Sequence, residues 1–291
     1  MSVRPVRRIV RPTPHLEGAG VKLQRGFGFG DTTEFDPFLL FDDFRNDQPD
    51  DYLAGFPWHP HRGIETITYV LAGNVAHGDS LGNRGNLGAG DVQWMTAGSG
   101  IMHQEMPQGD AQGRMHGFQL WANLPSSLKM TAPRYQDIAA TDIPEVVDDD
   151  GTRVRVIVGD FWGKKGPVEG VAADPQYIDV SVPPGRRKRL AVETSRHAFA
   201  YVFAGSGSFR DASQPHGVLT EAVDGTDAVT RERTGNRSLV LFDNGDEVVV
   251  QAGDEGIRFL LVSGKPIEEP VAWYGPIVMR SEEHTSELQS Q

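Results

Sequence analysis

Two short triplets in this chain combine side chains that can bind a metal ion. The first is His59-Pro60-His61, and the second, further along the chain, is His103-Gln104-Glu105. In an extended strand, residues two apart point to the same face, so each triplet presents two ligands together. We therefore expect three imidazoles and one carboxylate to converge on a single point.

The residues alone leave the identity of the carboxylate open. Glu65 shares strand parity with His59 and His61, and is a second candidate beside Glu105. An isolated His-x-His pair also occurs in strands that bind no metal. The second triplet favours a metal site, because four polar groups gathered away from water cost much desolvation free energy unless a cation compensates them.

Composition excludes several classes of site and partner. With no cysteine, the 291-residue chain has neither disulfides nor thiolate ligands, so a metal must be bound by nitrogen and oxygen. The formal charge of -12 argues against direct nucleic acid binding and against anionic lipid. We interpret the arginines at positions 4, 7, 8 and 11 as a solvated first strand. No apolar run reaches the ~18 residues of a membrane span, and no secretory signal is evident, so we expect a cytoplasmic protein.

The chain predicts an all-β fold. With 34 Gly and 19 Pro, it suits short strands joined by tight turns, and convincing amphipathic helices are scarce. The turn at 243–246 is a hairpin signal. The predicted strands are 64–71, 92–95, 116–121, 154–158, 177–182, 199–203, 239–242, 247–251 and 257–262.

A weak internal repeat divides the chain into two copies of one β unit. The segment 68–73 (Thr-Tyr-Val-Leu-Ala-Gly) corresponds to 200–205 (Ala-Tyr-Val-Phe-Ala-Gly). Under this alignment His59 falls on Ala191 and His61 on Glu193, so only the first copy should bind metal. We predict a metal-binding domain over 1–145 and a second domain, without metal ligands, over 146–279. The acidic segment 148–151 is interpreted as a solvated joint between them.

The last twelve residues, 280–291, read as the in-frame translation of a sequencing-adapter oligonucleotide. We interpret them as an artefact tail and expect a native segment to follow Met279 instead.

Other candidate side chains receive plainer interpretations. His116 is expected in the core or near the pocket, and the histidines at 15, 77, 197 and 216 at the surface or in turns. Trp58, Met102 and Trp121 could line a ligand cavity, although such side chains in barrel strands are more often plain core.

The motifs themselves resemble the pirin family of the cupin superfamily. The resemblance rests on Phe56-Pro57-Trp58-His59-Pro60-His61-Arg62-Gly63, on Gly98-Ser99-Gly100-Ile101-Met102-His103-Gln104-Glu105, on His116-Gly117-Phe118-Gln119-Leu120-Trp121, and on the stretch 264–279. It implies a bicupin, with two jelly-roll β-barrels face to face. It also implies iron, as Fe(II), held in the first barrel by the residues matching His59, His61, His103 and Glu105. The family pattern thus selects Glu105 over Glu65, which we keep as a neighbour of the site.

The activity implied by the resemblance is that of a quercetin 2,3-dioxygenase. A small aromatic substrate, a flavonol such as quercetin, would react with O₂, with Glu105 as the base that takes a hydroxyl proton. Mn, Co, Ni, Cu or Zn would also suit imidazole and carboxylate ligands, so iron is inherited from the resemblance. The alternative is an iron-binding, redox-responsive regulator with a protein partner and no turnover. A third alternative is a scaffold in which the metal only stabilises the barrel. We expect a monomer.

Overall fold

A computed structural model describes residues 2–209 and 234–280 of the chain. In this part the protein is nearly all β, as predicted, and none of its helices is long and apolar enough to cross a membrane. All but one of the residues 280–291, interpreted above as an artefact tail, lie outside the described residues, as does His216.

Strands follow one another along the described residues with few helical interruptions. The first twelve are β1 (Val6–Val10), β2 (Thr13–Glu17), β3 (Val21–Phe27), β4 (Phe38–Asp43), β5 (Phe56–His61), β6 (Ile64–Ala72), β7 (Asn74–Asp79), β8 (Arg84–Leu87), β9 (Val92–Thr96), β10 (Ile101–Gln108), β11 (His116–Asn123) and β12 (Arg134–Ile138). The next twelve are β13 (Glu145–Val147), β14 (Arg153–Val158), β15 (Asp160–Phe161), β16 (Lys164–Lys165), β17 (Gln176–Val182), β18 (Arg187–Ala191), β19 (His197–Phe209), β20 (Thr234–Gly235), β21 (Ser238–Phe242), β22 (Glu247–Gly264), β23 (Ala272–Tyr274) and β24 (Ile277–Met279). The helical elements are α1 (Thr32–Phe35) and the 3-10 turns Pro49–Asp51 and Ala140–Asp142.

The chain forms two compact units whose sequences interleave. The site unit comprises 13–143, 168–173 and 266–280, and the second unit comprises 2–12, 144–167 and 174–265, within the described residues. The sequence predicts 1–12 in the metal-binding domain and 266–279 in the other. The structure differs at both ends, because β1 pairs with β21 of the second unit, whereas Val278 donates its backbone N–H to Arg62 of the site unit.

The site unit contains two larger antiparallel sheets besides the β23-β24 pair. A seven-stranded sheet has the order β12-β9-β6-β11-β4-β3-β2, and a four-stranded sheet has the order β5-β10-β7-β8. One apolar cluster joins Val70 of the larger sheet to Val75 and Leu87 of the smaller one. The two sheets therefore enclose a common interior, in which the inward-facing side chains of each strand meet.

The second unit is built on one sheet with the path β1-β21-β19-β22-β17-β14-β13. Its longest strand, β22, pairs with β17, β18 and β19 in turn, so that the sheet curves around its own interior. That interior is filled by one large apolar cluster, rich in Val, Ile and Leu. Such packing leaves little place for a polar metal site in this unit.

The sequence repeat corresponds to equivalent central strands. β6 lies between β9 and β11, and β19 lies between β21 and β22. The glycines that end the repeated segments, Gly73 and Gly205, both have positive φ, at 77° and 66°. A residue with a Cβ is strained in that conformation, so both positions favour glycine. Gly73 lies at the bend after β6, whereas Gly205 lies at an irregular point inside β19.

Two predicted turns have different roles in the structure. The acidic segment 148–151 lies within the second unit, between the paired strands β13 and β14, where Lys188 binds both Asp148 and Asp150. It is a hairpin turn and not a joint between domains. The turn at 243–246 follows β21 and precedes β22, but these strands do not pair, because β19 lies between them. The hairpin prediction was therefore wrong.

Arg4 is buried, and the prediction that it is solvated was wrong. Its guanidinium donates to the carbonyl oxygens of Glu193 at 2.6 Å, Arg196 at 2.9 Å and Asp243 at 3.1 Å. Burial lowers the pKa of Arg4 to about 10, so the side chain stays charged at neutral pH. It fastens the first residues of the chain to the loops of the second unit.

We expect Arg4→Leu to lower the free energy of unfolding by about 3 kcal/mol, because the three carbonyl oxygens lose the charged donor that the buried Arg4 side chain supplies. Urea unfolding followed by circular dichroism measures the change. Arg7→Leu, at an exposed position of β1, is the control and should change stability far less. Equal losses in the two variants would contradict a specific role for Arg4.

Candidate metal centre

Two paired strands bring the histidines together. β5 is the edge strand of the four-stranded sheet, which is where a strand can hold Pro57 and Pro60 without breaking a ladder. β10 pairs with it so that His103 lies opposite His59 and Ile101 opposite His61. Because residues two apart share a face, His59, His61 and His103 all point into the interior of the site unit.

The three imidazoles form one compact group. Their ligand nitrogens lie within 4.8 Å of one another. The ring centroid of His59 lies 4.9 Å from that of His61 and 4.4 Å from that of His103. His61 and His103 are buried, whereas His59 is half-buried. The convergence predicted for the histidines of the two triplets is thus present in the structure.

Burial keeps two of these rings neutral. Desolvation, together with the charges of the neighbouring histidines, lowers the pKa of His61 well below its usual range. Desolvation also lowers the pKa of His103 to about 4, although the nearby charge of Glu105 raises it in part. A neutral imidazole has a free lone pair, which is the form that binds a metal ion.

The hydrogen bonds of the group fit a bound cation. Nδ1 of His59 lies 2.8 Å from the carbonyl oxygen of Pro57, which leaves Nε2 as the acceptor nitrogen. That Nε2 lies 3.1 Å from Nε2 of His61. Both ring nitrogens of His103 are buried and find no hydrogen-bond partner among the described residues. Buried polar atoms left in this way are costly, and a shared divalent cation would satisfy them.

Glu105 lies beside the group but does not belong to it. It is buried in β10, two residues after His103, and lines the same cavity. Its Oε1 accepts a hydrogen bond from Thr68 Oγ1 at 3.2 Å. Of the described side chains, the compact ligand group contains only the three histidines. Ligation by Glu105 therefore requires its carboxylate to move towards them, and stays a prediction.

Glu65 points away from the histidines. Gly63, with a φ of 74°, lies between β5 of the four-stranded sheet and β6 of the seven-stranded sheet. A Cβ at Gly63 would meet the Val278 carbonyl oxygen at 2.0 Å, so the position requires glycine. Glu65 accepts a hydrogen bond from Thr96 at 2.8 Å, and burial raises the pKa of its carboxyl. Residues two apart share a face only within one strand, so the even spacing between His59 and Glu65 does not bring their side chains together across this change of sheet.

A cavity of about 700 Å³ opens on the metal group. Aromatic rings extend from its outer part to the histidines: Phe29 lies 5.5 Å from Trp273, Trp273 lies 5.9 Å from Trp121, and Trp121 meets His61 edge-on at 5.0 Å. Trp58 also lines it and is 52% exposed. Trp58 and Trp121 are thus cavity residues and not plain core, whereas Met102 is exposed and does not line it.

The chain end that supplies Trp273 was not predicted as part of the site. β23 and β24 form a hairpin, and Lys129 links it to the turn between β5 and β6. The buried Lys129 Nζ donates to the Val278 carbonyl at 3.0 Å and to the Gly63 carbonyl at 2.9 Å. Burial lowers the pKa of Lys129 to about 8. Its third acceptor is the side-chain oxygen of Asn123, at 2.7 Å. No local motif marks this set of acceptors, so only the fold reveals the role of Lys129.

Two other histidines take up roles outside the metal group. His77, expected at the surface, is buried in β7, where its ring stacks on Tyr135 and lies 3.0 Å from the side-chain amide of Gln93. His116 is half-buried and contacts Asp47 at 2.6 Å. It lies outside the set of residues that line the cavity.

We expect metal-free protein to lose stability on acidification because of His103. The unfolded chain takes up this proton near pH 6.5, but the folded chain only near pH 4, so the free energy of unfolding falls as the pH falls between these values. His103→Asn should therefore lose roughly 2 kcal/mol less than wild type between pH 7 and 4.5. Urea titrations followed by tryptophan fluorescence measure both. Parallel losses in the wild type and the variant would contradict the prediction, and His15→Asn, at an exposed position, is the control.

Comparisons with known proteins agree with the fold. The family model for Pirin matches residues 20–122, and that for the Pirin C-terminal cupin domain matches 177–290. A "Pirin-like protein" of Caulobacter vibrioides is 45% identical over 284 residues, covering 97% of this chain and 95% of its own. A Pseudomonas aeruginosa protein named "Putative quercetin 2,3-dioxygenase" is 42% identical, with 93% and 90% covered.

Among solved structures, a crystal structure of quercetin 2,3-dioxygenase from Acinetobacter baumannii superposes with a TM-score of 0.84. It is 30% identical, and the match covers 99% of this chain and 96% of that one. Two family models in tandem agree with the two β units of the structure. The chain belongs to the pirin family, with two cupin domains.

Proposed function

We propose that the protein is a metal-dependent dioxygenase that cleaves the central ring of a flavonol such as quercetin with O₂. The observation that carries this proposal is that the histidine group faces a cavity of about 700 Å³ with aromatic walls. A structural metal site is usually closed, whereas a catalytic one keeps an accessible position. The names of the Pseudomonas and Acinetobacter relatives support the same reaction.

Fe(II) is the proposed cofactor, held by His59, His61 and His103, with Glu105 as the fourth ligand. When bound, the iron would supply the redox and Lewis-acid chemistry that the reaction of O₂ requires. The donor set fits this ion, because the ligands are neutral imidazoles and a carboxylate. The same set suits other divalent transition metals, so the choice of iron rests on the family.

The residues of the chain would orient the substrate and accept its proton. Trp121, which contacts His61, and Trp273, which packs beside Trp121, offer flat faces that suit a planar ring system. Glu105 lines the same cavity, where its carboxylate can take the proton of an enolic hydroxyl group. The apolar lining from Val21, Leu23 and Leu40 limits water around the reacting groups.

Substitutions distinguish the role of Glu105 as a base from the role of the histidines as metal ligands. We expect Glu105→Gln to retain bound metal but to lose at least about a hundredfold in kcat, since an amide cannot accept the proton. His61→Ala and His103→Ala should lose both metal and turnover. Metal content by elemental analysis and quercetin turnover measure the two effects. Wild-type activity in Glu105→Gln would remove this role for the carboxylate.

The decisive assay uses protein purified with Fe(II) and follows quercetin absorbance together with oxygen consumption. Equal molar loss of quercetin and O₂, abolished in His103→Ala, is the expected result. Loss of neither, with metal bound, would refute the dioxygenase. In that case, binding of a protein partner that depends on the oxidation state of the iron would favour the regulator.

A further inference from the structure

A row of polar side chains crosses the interior face of the seven-stranded sheet. Its members are in register on neighbouring strands, each paired with the next, and face the same interior as Glu105. In order across the sheet they are Arg25 on β3, Asp42 on β4, Gln119 on β11, Thr68 on β6, Gln93 on β9 and Asp137 on β12. Side chains at interior positions of a barrel are ordinarily apolar, so a row of polar side chains there suggests a functional role.

Salt bridges and hydrogen bonds fix both ends of this polar row. Arg25 and Asp42 form a two-point ion pair, with distances of 2.8 and 2.7 Å. At the other end, Gln93 donates to the carboxylate of Asp137 at 2.8 Å. Thr68 lies between them and is the member whose hydroxyl reaches across the interior to the opposite sheet, where it meets Glu105 of β10.

The Thr68 hydroxyl has two oxygen neighbours and a single proton. Oγ1 lies 3.2 Å from Oε1 of Glu105 and 2.9 Å from the side-chain carbonyl of Gln119. One proton cannot serve both acceptors. The two ends of a carboxamide have nearly the same shape, and if the amide of Gln119 turns over, its NH₂ donates to Thr68. Thr68 then donates to Glu105, and all three groups are satisfied.

We propose that Thr68, oriented by Gln119, is a positioning residue that holds the carboxylate of Glu105 away from the histidine group. This proposal rests on the proposed function in one respect, namely that Glu105 can ligate the metal. The geometry supports an effect away from the histidines, because Glu105 accepts a hydrogen bond from Thr68 and lies outside the compact ligand group. A hydrogen bond to an ionised carboxylate is among the stronger kinds in proteins, so Thr68 competes with the metal for Glu105.

The same sheet supplies a matched control. Thr96 donates to Oε1 of Glu65 at 2.8 Å, and both residues are buried. This is again a threonine bonded to a buried glutamate, but it lies on the other face of the sheet, since Glu65 and Thr68 are three residues apart on β6. Removing either hydroxyl therefore costs a similar hydrogen bond, and only Thr68 can act on Glu105.

The test compares Thr68→Val with Thr96→Val, each with valine replacing threonine at nearly the same shape. Co(II) affinity is measured by competition with a chelator, in the full-length protein and without substrate. We expect Thr68→Val to bind Co(II) about tenfold more tightly than wild type, because Glu105 loses its alternative partner. Thr96→Val should leave the affinity unchanged. Unchanged or weaker binding in Thr68→Val would overturn the proposal.

Two further variants distinguish positioning from a general effect on folding. Thr68→Ser keeps the hydroxyl and should restore wild-type Co(II) affinity. In a Glu105→Gln background, Thr68→Val should no longer change the affinity, because the residue through which it acts is gone. An equal gain in both backgrounds would contradict the inference.

Turnover gives an independent measurement. For quercetin, kcat of Thr68→Val should fall about tenfold with little change in KM, since Glu105 is less available to accept the proton. If no variant and not even the wild type consumes quercetin, the proposed function fails, while the affinity difference still decides the role of Thr68.

Discussion

The site depends on the burial of three neutral imidazoles that face one another. Desolvation lowers the pKa of His61 and of His103, so that protonation cannot separate the rings by charge repulsion at neutral pH. The cost is a set of buried nitrogens with few partners in the chain itself. Strand pairing sustains this arrangement, because the register of β5 and β10 places His59 opposite His103.

The interiors of the two units are filled differently. In the second unit, one apolar cluster occupies the interior, and Ala191 stands where the repeat places His59. In the site unit, apolar clusters lie around a cavity lined by Glu105, Thr68 and Gln119. The interior of this unit therefore contains a cavity and polar side chains, because a cavity that is open to ligands cannot also be a close-packed core.

Local patterns predicted strands and ligands well, and long-range pairing poorly. All nine segments with alternating residues lie in strands, because period-two burial is a property of a few consecutive residues. Strand parity alone left Glu65 as a rival to Glu105, since nothing local shows that Gly63 carries the chain into another sheet. Arg4, Lys129 and Trp273 were missed for a related reason: their partners are distant in sequence, and two of the three bind backbone oxygens that no motif records.

The polar row also limits how protons can travel. Thr68 is flanked in register by Gln119 and Gln93, whose side chains are carboxamides. A carboxamide gives up one proton and takes another only through an unfavourable tautomer, so the row serves poorly as a conduit to the exposed side chain of Asp137. It serves well as a fixed frame, because amides keep their hydrogen bonds without changing charge. Because Glu105 lines the cavity, a proton that it accepts can pass there to a ligand or to solvent without crossing the row.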